Sequence, residues 1–134
     1  MDKPEKIILG IGCDRNTVLT TLEIAVDRAL KEIQQTYVAV VALATIDKKK
    51  DEVAMLELSR KRNWPLRFYS AEQLARVAVP NPSAVVLKYM GTPAVSEAAA
   101  MLAANTGVDD LLLEKFKYRG EDNKNATVSI VRLR

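Results

Sequence analysis

The chain has 134 residues, 49% of them hydrophobic and only 5% aromatic, which supplies one substantial core, argues against disorder, and leaves few rings to stack nucleic-acid bases. Its formal net charge is +3, spread along the chain, a balance that suits an anionic small molecule as well as nucleic acid. With no histidine and one cysteine, Cys13, it excludes a Ser-His-Asp triad, a Cys-His pair, a histidine metal site and an internal disulfide.

The opening "MDKPEK" carries no apolar stretch of signal-peptide length, and no apolar run is long enough to span a membrane. The expectation is a cytosolic, cytoplasmic protein forming a single domain over residues 1–134, with no membrane and no nucleic acid among its partners.

"KIILGI" (6–11) is a short apolar run ending in glycine and predicts a buried strand. In "TVLTTLEIAVDRALKEI", Val18, Leu19, Leu22, Ala25, Val26, Ala29, Leu30 and Ile33 share one helical face. "YVAVVALATI" (37–46) is apolar and β-branched throughout, which predicts a central strand covered on both sides. Asp51 is placed to cap the helix "EVAMLELSRKR", with Val53, Leu56 and Leu58 as its core face. "PLRFY" (65–69) reads as a third strand, and Ser70 with Gln73 has the spacing of a capping box for a short helix.

"PNPS" (80–83) breaks that helix; Asn81 as cap and Pro82 as first residue can start another. "GTP" (91–93) repeats the device with Thr92 and Pro93, and the alanine-rich helix "AVSEAAAMLAAN" follows, stopping near Gly107. "DDLLLEKFKY" (109–118) and "ATVSIVRLR" (126–134) predict an antiparallel hairpin joined by the polar, flexible "RGEDNKN". The order of elements predicts one three-layer α/β/α domain with a mixed, mostly parallel five-stranded sheet and a C-terminal antiparallel hairpin.

Ligands of open parallel sheets bind at the carboxyl ends of the strands. "GCDRNT", "ATIDKKKDE" and "YSAEQ" should meet there. "GIGCDRNT" fits no nucleotide motif. Gly10 and Gly12 fill two positions of a dinucleotide fingerprint, but Arg15 stands where the third small residue is needed, and no G-K-[ST] follows. Two readings stay open: a turn whose free amides and Arg15 hold a phosphate or carboxylate, and a plain strand-to-helix turn. Cys13 lies near the helix start, where a thiolate is favoured; a small residue in a tight turn is the other reading. Asp47 and Glu52 flank "KKKD" and could supply a general base or merely be solvated. Thr45 and Asp47 fall at the strand end and rank above Glu52. In "EKFKY", Glu114 and Phe116 share one face and Lys115 and Lys117 the other, where the lysines could simply decorate an edge.

Taken in order, "GIGCDRNT", "ALATIDKKKDE", "PLRFYSAEQL", "PNPS", "GTPAVSEAAAML" and "ATVSIVRL" resemble the CobE/CbiG C-terminal family of cobalamin biosynthesis, over almost the whole chain. The resemblance implies a compact α/β module that occurs alone or as part of larger proteins. Those larger proteins open the δ-lactone of cobalt-precorrin-5A and release a two-carbon fragment as acetaldehyde. It implies pocket residues Gly10, Gly12, Cys13 and Thr17 in the first loop and Thr45 and Asp47 in the second, the last two being the candidate catalytic residues. Ser70 and Glu72 follow, then Pro82, Ser83, Gly91, Thr92, Ser96 and Glu97 at helix starts; Arg15 joins them for its charge. The family's first loop reads more like G-C-R-R-G-T, so Asp14 and Asn16 stand here for an arginine and a glycine. The family also often has an acid after "PNPS", where this chain has Ala84.

The ligand implied is an anionic corrin intermediate rich in acetate and propionate groups, for which Arg15 and Lys48 to Lys50 around one sheet edge are suited. No cofactor is expected: cobalt, where present, belongs to the substrate, and the lack of histidine argues against imidazole ligation of it. Three functions follow: a hydrolase in which Asp47 acts as general base or positions water while Thr45 and the first-loop amides steady the oxyanion, a non-catalytic module docking on another corrin-pathway protein, or a generic anion-binding domain unrelated to corrins.

Overall fold

The computed structural model describes residues 5–79 and 95–134. Strands β1 (Lys6–Cys13), β2 (Val40–Ile46), β3 (Leu66–Tyr69), β4 (Leu111–Arg119) and β5 (Asn125–Leu133) form one sheet in the order β3-β2-β1-β5-β4. β1 pairs parallel with β2, and β2 with β3; β5 runs antiparallel to both β1 and β4. Four strands therefore point one way and β5 alone opposes them.

Helices α1 (Leu19–Glu32) and α2 (Val53–Arg62) cover one face. Helices α3 (Ala71–Ala75) and α4 (Val95–Ala104) cover the other. The alternation of β1 makes this possible. Ile7, Leu9 and Ile11 enter the α1/α2 core while Ile8 enters the α3/α4 core. No helix among the described residues is long and apolar enough to cross a membrane.

Several boundaries differ from the sequence reading. Tyr37–Ala39 is a 3-10 turn rather than the start of a strand. The Tyr37 ring packs on Trp64 at 5.7 Å and beneath the Arg62 guanidinium at 4.0 Å, which bends the segment toward the end of α2. Likewise Val108–Asp110 is a 3-10 turn ahead of β4. α4 is stopped by Asn105, not Gly107: Asn105 has φ 54° and takes the left-handed position that asparagine tolerates.

On α2 the core face is Ala54, Met55 and Leu58, whereas Val53 is 65% exposed. Asp51 caps nothing. Glu52 occupies the N-cap position, and its side chain is drawn away to the first loop. The Ser70–Gln73 capping box is present in both directions, at 3.1 and 2.9 Å. The hairpin connection is a hydrogen-bonded turn in which Gly120 donates to Lys124 O at 2.9 Å and Asn123 donates to Gly120 O at 3.0 Å.

Candidate functional site at the carboxyl edge

β1, β2 and β3 all end at one edge, and β5 begins there, with Cys13 opposite Ala126. Three connections emerge from that edge: the first loop (14–18), the 3-10 turn Asp47–Lys49, and Ser70 at the cap of α3. This is where an open parallel sheet holds its ligand.

The first loop is held by carboxylates of the chain itself. Asn16 has φ 62°, and its amide donates to Glu52 Oε1 at 2.9 Å. Asparagine tolerates this left-handed backbone conformation. The Val18 amide donates to Asp122 Oδ2 at 3.0 Å and the Thr21 hydroxyl to Asp122 Oδ1 at 2.9 Å. Asp14 ties the loop to β5: its amide donates to Asn125 O at 3.0 Å and its carboxylate accepts the Asn125 amide at 2.8 Å. The Thr17 amide and hydroxyl both go to Asp14 O. The amides at 14, 16, 17 and 18 are therefore engaged, and α1 is capped from a distance by Asp122.

Arg15 is engaged too. Its guanidinium donates to Asp51 Oδ1 at 2.7 Å, Glu52 Oε2 at 3.2 Å and Lys48 O at 2.7 Å. The hydrogen bond to Arg15, and its charge, hold the Asp51 carboxyl below the usual range. An open groove of about 550 Å³ runs along this clamp, with Thr17, Leu19, Val53 and Ala54 in its wall.

The other expected residues fall into separate groups. Thr45 is fully buried and donates to Ile11 O at 2.7 Å, joining β2 to β1. That bond uses the hydrogen an oxyanion would need. Asp47 is half-buried on its turn, and among the described residues its carboxylate makes no hydrogen bond or ion pair. Cys13 is half-buried; burial pushes its thiol up to about 11, against the opposing pull of Lys49. It is a thiol at neutral pH, not the thiolate its nearness to a helix start suggested, because α1 begins six residues later, at Leu19. Ser70 is committed to its cap, and Glu72 is exposed on the first turn of α3.

Gly10, Ser96 and Glu97 sit in the sheet–helix contact. A Cβ on Gly10 would lie 1.8 Å from Ser96 O, so this glycine admits α4 against β1. Gly12, by contrast, has among the described residues only Thr127 Cβ near, at 3.9 Å. Ser96 Oγ lies 2.8 Å from Ser129 Oγ. Glu97 is fully buried and meets Lys115 Nζ at 3.3 Å; burial raises its carboxyl and Lys115 opposes the rise. Lys115 therefore does more than decorate an edge. Pro82, Ser83, Ala84, Gly91 and Thr92 lie outside the described residues.

The sequence reading missed Asp122 altogether, considered Glu52 only as a base ranked below Asp47, and did not single out Lys49 within Lys48 to Lys50. Glu52 and Asp122 act on residues 36 and 104 positions away, and no local spacing announces such bonds. Lys49 is 5% exposed between two exposed lysines; a run of three lysines gives no sign of which one turns inward.

Known proteins resemble this chain in fold and sequence. The family model described as "Cobalamin synthesis G C-terminus" matches residues 7–131. The cobalt-precorrin-5A hydrolase of Priestia megaterium is 38% identical over 128 residues, covering 96% of this chain and 32% of the hydrolase. Protein CobE of Sinorhizobium sp is 31% identical over 100 residues, covering 73% of this chain and 65% of CobE. A crystal structure of CobE, a protein from the cobalamin (vitamin B12) biosynthetic pathway, matches with a TM-score of 0.78 at 31% identity, covering 100% of this chain and 94% of that one. The chain thus spans about a third of the length of the hydrolase it matches. With 125 consecutive residues matched and the same architecture in a solved relative, the chain belongs to the cobalamin synthesis G C-terminus family.

Proposed function

We propose that the chain serves cobalamin biosynthesis by binding a precorrin or cobalt-precorrin intermediate at the carboxyl edge of its sheet and assisting the opening of the δ-lactone of cobalt-precorrin-5A. The near-complete match of the chain to a cobalt-precorrin-5A hydrolase carries this reading. Asp47 supports it chemically: a carboxylate at the end of β2, free of competing bonds among the described residues, is suited to orient water or accept its proton. The Thr45 hydroxyl and the amides at 14, 16, 17 and 18 are bound within the fold, which leaves them less suited to an oxyanion. Cobalt arrives with the substrate in this reading.

The one-third coverage of the hydrolase favours a second reading, in which the chain binds the intermediate and another corrin-pathway protein completes the chemistry. One anaerobic experiment tests both. Purified chain is mixed with the cobalt-precorrin-5A lactone, and acetaldehyde is measured beside the absorption spectrum. Acetaldehyde above the protein-free rate, lost in Asp47→Asn, supports the hydrolase. A spectral change without acetaldehyde supports the accessory reading. Neither signal removes both.

A further inference from the structure

The donors on the α1/α2 side of the carboxyl edge are spent, since Arg15 and the amides at 14, 16, 17 and 18 all bond within the fold. The α4 side of the same edge differs. Ser129 bonds to Ser96 of α4, so Ser129 faces that side, and so does Thr127, two residues away on β5. Gly12 stands opposite Thr127 on β1, and Lys117 stands opposite it on β4. Gly12, Thr127 and Lys117 therefore form one row across three strands, roughly 10 Å from end to end. The row lies one pleat beyond Gly10, which α4 covers.

Gly12 is a strand glycine that neither packing nor backbone conformation requires. Among the described residues a Cβ there meets only Thr127 Cβ at 3.9 Å, and its φ lies outside the left-handed region. A bare strand glycine of this kind lets another group come close to the backbone. Beside it, the Thr127 hydroxyl and the exposed Lys117 ammonium make no hydrogen bond or ion pair among the described residues. Two residues back on β4, Lys115 is held on the same side by the fully buried Glu97 at 3.3 Å, while Glu97 Oε2 has no hydrogen-bond partner. A buried pair left partly unsatisfied adds little stability; this one fixes the place of a second ammonium behind the row.

We infer that the ligand is held on the α4 side of the carboxyl edge, its ring resting against the bare backbone of Gly12 and a carboxylate meeting Thr127 and Lys117, with Lys115 adding charge behind them. The inference rests on the proposed function for the identity of the ligand, a polycarboxylate macrocycle, and names the face and the residues that recognise it. Gly12 sets how closely the ring approaches, and the lysines select acids over neutral analogues through charge-assisted hydrogen bonds. Arg15 then serves the first loop, and the β4 lysines serve the ligand.

The test is a calorimetric titration with cobyrinic acid, a corrin bearing free carboxylates, beside its full methyl ester. The wild type should bind the acid at least about tenfold more tightly than the ester. Gly12→Val should weaken binding of the acid about tenfold or more while melting within about 5 °C of wild type. Lys117→Met should weaken it about three- to fivefold, and Lys31→Met, on an exposed side chain of α1, should leave it unchanged. Equal binding of acid and ester, or wild-type affinity in Gly12→Val or in Lys117→Met, overturns the inference. Where Gly12→Val does not fold, as judged by circular dichroism, Lys117→Met and the ester decide. Tight binding of the acid that ignores these variants removes this face and leaves the proposed function standing. No binding of the acid overturns the inference, and the lactone assay then decides the proposed function separately.

Discussion

Gly10 and Gly12 look equivalent in "GIGCD", yet their surroundings make them respond oppositely to an added methyl. On Gly10 the new Cβ would lie 1.8 Å from Ser96 O, 2.7 Å from Ser96 C and 3.1 Å from Ala100 Cβ. Two of these contacts are to helix backbone, which cannot rotate aside. α4 would have to retreat by on the order of 1 Å, loosening the packing of Ala98, Ala99, Ala100 and Met101, all fully buried. Overpacking against rigid backbone costs about 3–5 kcal/mol here, above the ordinary range. That is a large share of the roughly 5–15 kcal/mol expected for a whole domain. Gly10→Ala should therefore lower Tm by about 10–20 °C. On Gly12 the Cβ meets, among the described residues, only Thr127 Cβ at 3.9 Å, an ordinary contact, so Gly12→Ala should stay within about 1 kcal/mol of wild type. Urea denaturation and thermal melts followed by circular dichroism measure both. Two variants equal in stability within about 1 kcal/mol would refute the view that Gly10 exists for helix packing.

Glu52→Ala removes the acceptor of the Asn16 amide and leaves that donor partly buried. The expected loss is about 2 kcal/mol, with little added from the Arg15 contact because Arg15 is half exposed; a melt no lower than that of the exposed-site control Glu57→Ala would contradict it. Asp122→Ala strips the cap from α1 and should lower Tm at neutral pH. The pH dependence has a definite sign. The Asp122 carboxyl lies below its usual range chiefly because the Val18 amide donates to it, so its stabilisation is complete above the unfolded value of about 3.9 and is lost as pH falls through the lower folded one. The variant should therefore show a shallower acid limb in a plot of Tm against pH, and an unchanged limb would argue against the cap. Cys13, with its thiol near 11, should react with iodoacetamide slowly at neutral pH, and its rate should climb about tenfold per pH unit toward that value. A plateau near pH 8 would show that burial does not control the thiol.

The candidate site was legible only at the level of loops. Local pattern placed three connections at the carboxyl edge of the sheet, as the structure has them, because the end of each apolar strand marks where the chain reaches that edge. It ranked the residues within them less well. Arg15 looked like the natural anion partner because it follows two glycines, but Asp51 and Glu52 take its guanidinium. Thr45 looked like a hydroxyl at a strand end, but it is turned to Ile11 O between two strands. Resemblance to a family named the neighbourhood of Ser96 and Glu97; only the packing of α4 over Gly10 shows that these side chains lie beneath the helix, not at the loop edge.

What the sequence determined by itself is whatever depends on neighbours a few residues apart. The apolar runs made the strands, the 3.6-residue period made α1, and Ser70 with Gln73 made the capping box, because each signal acts within one or two turns of chain. Strand order, the reach of Asp122 back to α1, the clamp of Glu52 on the first loop and the inward turn of Lys49 were decided by the tertiary structure. These contacts join residues tens of positions apart, and whether a charge is buried or solvated depends on what the whole fold places around it.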